Sequence, residues 1–189
     1  MEPLRRIESA AMALPRANVD TDQIVPARYL KKPRSDNFGD YLFKDLRNDP
    51  NFVLNRPEHC SARILVAGAN FGCGSSREHA VWALYDWGFR TAIAPSFGDI
   101  FASNALKNGF LPVTLAAEEV ERLLADLGRA PQASIAVDLE AQTVCAPSGR
   151  YSFQIAPFPR RCLLEGIDEL GYTLGHMEQV TAFERQYEP

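Results

Sequence analysis

A chain of 189 residues, 46% hydrophobic and 23% charged, has the makeup of an ordinary globular protein with apolar mass for a sizeable core. Its net charge of −4 argues against nucleic acid or an anionic membrane surface as a bulk partner, while leaving room for a local anion site. No apolar stretch approaches the ~20 residues that span a bilayer, and no signal-peptide core follows Met1, so a cytoplasmic protein is expected.

In chain order, residues 4–7 carry a weak strand signal, and Pro15-Arg16-Ala17 reads as a loop. In Asn18-Val19-Asp20-Thr21-Asp22-Gln23, two aspartates flank a threonine, a pattern that suits a turn or a helix N-cap. Residues 27–39 hold Arg28, Lys31, Lys32 and Arg34 among Pro and Gly breakers. Two readings stand for this stretch. One is a solvated basic loop; the other is a mobile loop over an acidic substrate, with Tyr29 and Leu30 against its apolar part and the cations steering it. Residues 40–62 look irregular, with turns at Asp49-Pro50 and Arg56-Pro57.

Residues 64–67 form an apolar run that reads as a buried strand, and residues 80–87 have helical periodicity up to Gly88. A second strand is expected over 91–94. Ser96 is expected to cap a helix with Phe97, Ile100, Phe101 and Ala105 on one face, stopped by Gly109. Residues 111–115 suit a third strand, and 118–127 a helix ended by Gly128. This alternation implies parallel pairing. Beyond 130, residues 134–139, 143–146 and 151–155 read as an antiparallel meander. A helix over 157–165 with Gly166 at its end follows, then further helical segments carrying Leu170, Leu174 and Met177. The fold class expected is α/β, one domain with mixed parallel and antiparallel strands and a helical tail from about 157.

Between the first of these buried strands and its helix lies Asn70-Phe71-Gly72-Cys73-Gly74-Ser75-Ser76-Arg77-Glu78-His79. Ser75 and Glu78 have capping-box spacing, which by itself accounts for both residues. Arg77, expected inside the first turn, opposes the helix dipole unless an anion faces it. Gly72 and Gly74 permit positive φ and close backbone approach. Together these features describe a carboxylate or phosphate cradle. There is no Walker lysine, no third Rossmann glycine and no nucleophile elbow. His59, His79 and His176 lack triad or metal spacing, and His79 is open to a structural or a catalytic role. Cys60, Cys145 and Cys162 read as small core residues; with Cys73 they form no zinc or iron–sulfur spacing.

The segment from Asn70 to Ala80 resembles the signature of the swivelling domain of the aconitase superfamily. The likeness extends through residues 18–24, Arg28-Tyr29-Leu30, residues 94–101 and residues 160–166, and over nearly the whole chain it points to the small-subunit family of the bacterial 3-isopropylmalate dehydratases. The resemblance implies a three-layer swivelling β/β/α domain spanning residues 1–189. It implies a hydro-lyase that isomerises 2- and 3-isopropylmalate by dehydration and rehydration in leucine biosynthesis. It implies no cofactor and no metal on this chain, with a 4Fe–4S cluster on a separate large subunit as partner in a heterodimer or higher assembly. Ser75 would then be the catalytic base, and Ser76 and Arg77 would bind substrate carboxylate. Tyr29, Leu30 and Lys31 would line the variable side chain of a small dicarboxylic hydroxy acid. The loop after Tyr29-Leu30 keeps a methylmalate or citraconate-type acid open, and the turn alone is also compatible with a stand-alone anion-binding module.

Overall fold

Strand β1 (Arg6–Leu14) belongs to two sheets at once. The structure, a computed structural model, describes residues 1–35, 37–75 and 77–185. Residues Arg6 to Ala10 of β1 pair antiparallel with β5 (Ser134–Asp138), and Ala11 to Leu14 pair parallel with β2 (Ile64–Ala67). The side chains account for the switch. Around Arg6-Ile7-Glu8 only Ile7 is buried, as in a sheet with one wet face; from Ala11 on, small and apolar residues are covered on both sides. Strands β3 (Thr91–Ala94) and β4 (Leu111–Thr114) extend the parallel half; β6 (Thr143–Ala146) and β7 (Gly149–Ser152) extend the antiparallel half. The order is β4-β3-β2-β1-β5-β6-β7.

The seven helices of the described residues are α1 (Thr21–Ile24), α2 (Glu78–Trp87), α3 (Asp99–Lys107), α4 (Ala117–Arg129), α5 (Pro157–Glu165), α6 (Glu169–Leu174) and α7 (Met177–Glu184). Alternate strand residues face two cores. Met12, Leu14, Leu65, Ala67, Ala92 and Ala94 pack with α2, α3 and the turns of 38–54. Ile64, Val66, Ile93, Leu111 and Val113 pack with α4 and with Ile135, Val137, Val144 and Tyr151 of the antiparallel half. Helices, parallel sheet and antiparallel sheet thus stack as the expected β/β/α layers. Each large aliphatic side chain so buried contributes roughly 1.5–3 kcal/mol. No helix among the described residues is long and apolar enough to cross a membrane.

Several local expectations change. The first strand runs from 6 to 14 rather than 4 to 7, because Ser9-Ala10-Ala11-Met12-Ala13 has weak strand preference and is held by neighbours on both sides. Gly128 lies inside α4. The last strand covers 149–152 rather than 151–155. The irregular stretch 40–62 is a chain of short 3-10 turns that still sends Leu42, Phe43, Phe52 and Leu54 into the core. Of the three cysteines taken as core residues, only Cys162 is buried; Cys145 is half-buried and Cys60 is exposed.

Candidate active site

Three loops leave the carboxyl ends of β1, β2 and β3 and pair with one another. The Gly72 N–H donates to the Val19 carbonyl (2.7 Å) and the Thr21 N–H to the Cys73 carbonyl (3.0 Å). On the other side, the Phe71 N–H donates to the Ser96 carbonyl (3.1 Å) and the Gly98 N–H to the Phe71 carbonyl (2.9 Å). Such loops at the carboxyl ends of parallel strands form the crevice where α/β sheets bind ligands. Phe71 is the anchor: it is fully buried and meets Phe97 and Phe101 edge-on. Gly98 is required by proximity, since a Cβ there would lie 2.5 Å from the Gly72 carbonyl oxygen.

Ser75 sits exposed on this turn and lines a pocket of about 170 Å³ with Gly72, Gly74, Gly98, Asp99, Ile100 and Phe101. Its carbonyl accepts a hydrogen bond from the buried Thr21 hydroxyl (3.0 Å). Ser75 is not the helix cap. Arg77 occupies the N-cap position with extended backbone, α2 starts at Glu78, and the Glu78 carboxylate accepts from Asn108 Nδ2 (2.7 Å) instead of closing a capping box. The Ala80 N–H is bonded to the Arg77 carbonyl (3.2 Å), which satisfies one donor of the helix start. Arg77 therefore does not stand inside the first turn, and the anion facing it is Asp22, with which it forms an ion pair. Ser96, expected as a cap of α3, instead accepts the Asn70 N–H on its hydroxyl (2.9 Å), and Gly98 takes the N-cap position. Ser76 lies outside the described residues.

The aspartate-flanked threonine does form a cap. Asp20 accepts the Gln23 N–H (2.7 Å) and starts α1, which sets Thr21 and Asp22 against the turn. Long-range pairing of this kind leaves no mark in local sequence, and Asp22, Thr21, Asp99 and Ile100 were not among the expected site residues. The only hint was the spacing of Asp20 and Asp22.

The basic segment is fastened to α2. Arg34 donates two hydrogen bonds to Asp86 (2.8 and 3.0 Å) and stacks over Trp82, and the Phe38 N–H reaches the same carboxylate (3.0 Å). The buried Phe38 ring meets His79 and Trp82. His79 faces the Leu30 carbonyl, and burial lowers its pKa. Arg28 pairs with Asp45, which lowers the Asp45 carboxyl and raises the guanidinium. Tyr29 stacks on Tyr41, Leu30 is half-buried, and Lys31 is exposed. Two of the four cations are therefore neutralised, and none of Tyr29, Leu30 and Lys31 lines the Ser75 pocket.

This fold, with its glycine-rich turn between β2 and α2, defines an aconitase-type swivelling domain. The Aconitase C-terminal domain family matches residues 1–118, and the LeuD_N family matches residues 121–157. A 3-isopropylmalate dehydratase small subunit of Rubrobacter xylanophilus is 52% identical over 98% of this chain and 95% of its own. One from Anaeromyxobacter sp. (strain K) is 53% identical over 97% and 98%. A crystal structure of 3-isopropylmalate dehydratase from Methanocaldococcus jannaschii aligns with TM-score 0.70 at 26% identity, covering 95% of this chain and 99% of that one. The chain belongs to the 3-isopropylmalate dehydratase small-subunit family.

Proposed function

We propose that this chain is the small subunit of a hydro-lyase that isomerises 2- and 3-isopropylmalate, and that it contributes one half of a site completed by a large subunit. Membership of the small-subunit family, at 52% identity over nearly the full length, carries the substrate and the partner. Among the described residues no group of three or more His, Cys, Asp or Glu side chains is placed to hold a metal ion. When bound in the large subunit, the 4Fe–4S cluster would supply a Lewis acid for the leaving hydroxyl.

On this chain, Ser75 Oγ acts as base. As an alkoxide it takes the proton from the carbon beside a substrate carboxylate; hydroxide leaves the neighbouring carbon, and a double bond forms between them. Water then adds in the opposite sense, with Ser75 returning the proton. A serine hydroxyl needs help to ionise near neutral pH, and a guanidinium with orphan helix N–H groups favours its anion. Exposure of Ser75 beside a pocket, with Arg77 two residues away, supports this role. Arg77 and Ser76 bind substrate carboxylate. Tyr29, Leu30 and Lys31, carried on the loop fastened to α2, remain the candidates for its variable side chain.

Mixing the purified chain with its large subunit under anaerobic conditions, with 3-isopropylmalate, citraconate and methylmalate offered in turn, tests the reading. Turnover is expected only in the assembled complex, fastest with isopropylmalate, and lost in Ser75→Ala with assembly intact. Near-full turnover by Ser75→Ala, or by the isolated chain, refutes the split site.

A further inference from the structure

We infer that Thr21 is a positioning residue for Ser75, holding the peptide of the candidate base in the orientation that proton abstraction needs; this rests on the reading of Ser75 as base. Thr21 is 1% exposed, and its hydroxyl donates to the Ser75 carbonyl at 3.0 Å across 54 residues of chain. It is itself immobilised from two sides. Its N–H is bonded to the Cys73 carbonyl (3.0 Å), and its carbonyl accepts the Val25 N–H (2.9 Å) within the short helix that Asp20 caps. The loop after β1 is thus a rigid bracket whose buried donor grips the glycine-rich turn at one residue.

The grip matters because the turn has little stiffness of its own. Gly72 and Gly74 on its amino side both have positive φ and no side chain to restrict them. A Cβ on Gly74 would lie 3.5 Å from the Asp20 Cβ and 3.9 Å from the Thr21 Oγ, so the bracket runs alongside the turn. The negative end of the Ser75 carbonyl dipole is drawn toward the buried hydroxyl. Released, the carbonyl is free to turn toward the pocket, where its partial charge would oppose both an alkoxide on the same residue and an anionic substrate.

The test is made in the reconstituted complex. Thr21→Val keeps the side chain's volume and removes the donor. It is expected to lower kcat by about 10- to 100-fold, the size of effect that a misplaced reacting group produces. KM should stay near the parent value, and the primary deuterium isotope effect on the abstracted proton should rise. Thr21→Ser, which keeps the donor, should retain most of the turnover. Parent-like kcat in Thr21→Val, an equal loss in Thr21→Ser, or a change confined to KM overturns the proposal. Should Thr21→Val fail to assemble, Thr21→Ala is compared with Thr21→Ser in its place, and equal rates for those two overturn it. Ser75→Ala runs alongside. If that variant turns over, the reading of the base is wrong; if it is dead while Thr21→Val is unaffected, only the positioning role fails.

Discussion

Asp22 and Arg77, 55 residues apart in sequence, form an ion pair at the edge of the glycine-rich turn. Arg77's side chain is 17% exposed and Asp22's 53%, so the cation is the member held inside. Asp22 engages Nη1, and a guanidinium fork has further donors in fixed directions. The pair aims that fork. Asp22→Asn is expected to lower kcat/KM about tenfold, close to 1.4 kcal/mol, chiefly through KM. Arg77→Lys should fall further, because an ammonium lacks the planar fork. Steady-state kinetics of the complex checks both. A lower KM in Asp22→Asn would mean that Asp22 competes with substrate instead of orienting Arg77.

Close packing of the three loops predicts a ranking among glycine substitutions. In Gly98→Ala the new Cβ meets the Gly72 carbonyl oxygen at 2.5 Å, which is backbone and cannot rotate away. In Gly74→Ala the nearest atom is 3.5 Å off, although φ is +89°. Gly98→Ala should therefore destabilise by several kcal/mol, and Gly74→Ala by about 1–2, the ordinary cost of left-handed backbone for alanine. Urea denaturation of the isolated chain measures the two, and equal losses would contradict the packing argument.

Asp86, whose side chain is 15% exposed, receives both the Arg34 fork and the Phe38 N–H. Removing its charge strands a guanidinium and a backbone donor together. Asp86→Ala should cost about 1–3 kcal/mol and speed tryptic cleavage after Lys31, by loosening the backbone around it. Limited proteolysis with mass spectrometry reads the second effect. Unchanged cleavage there would show that Phe38 burial alone holds the segment.

Burial lowers the pKa of both His59 and His79 below the ordinary 6.5. The unfolded chain thus takes up these protons first as pH falls. Stability from the neutral rings is complete above about pH 6.5 and is lost progressively below it, until the folded values are reached. Asp126 works in another window: hydrogen bonds from Ser148 lower its carboxyl, and that contribution disappears only as pH falls through the lowered value. Tm should therefore decline between pH 7 and 5. The decline should shrink in His59→Gln, where a 3% exposed imidazole with an unpartnered Nδ1 among the described residues is gone. A parallel decline in that variant would assign the effect elsewhere.

The amino-acid order by itself determined the buried strand at 64–67, the helix after it, the parallel alternation through 114 and the turn that carries Ser75 and Arg77. Each is a local matter of apolar period and glycine placement, and short-range physics suffices for it. Residues 160–166 and the Gly-Ser-Ser-Arg-Glu-His run likewise carried the family resemblance. What lay beyond local reach was everything set by contacts across the chain. An alanine-rich stretch became the strand shared by two sheets because β2 and β5 pair with its two halves. Ser75 looked like a helix cap because its spacing to Glu78 is right. Only the folded chain moves that cap to Arg77, gives Glu78 to Asn108, and hands the Ser75 carbonyl to Thr21. Spacing along the chain fixes which groups are available; which of them meet depends on loops 50 and more residues apart being brought together at the ends of adjacent strands.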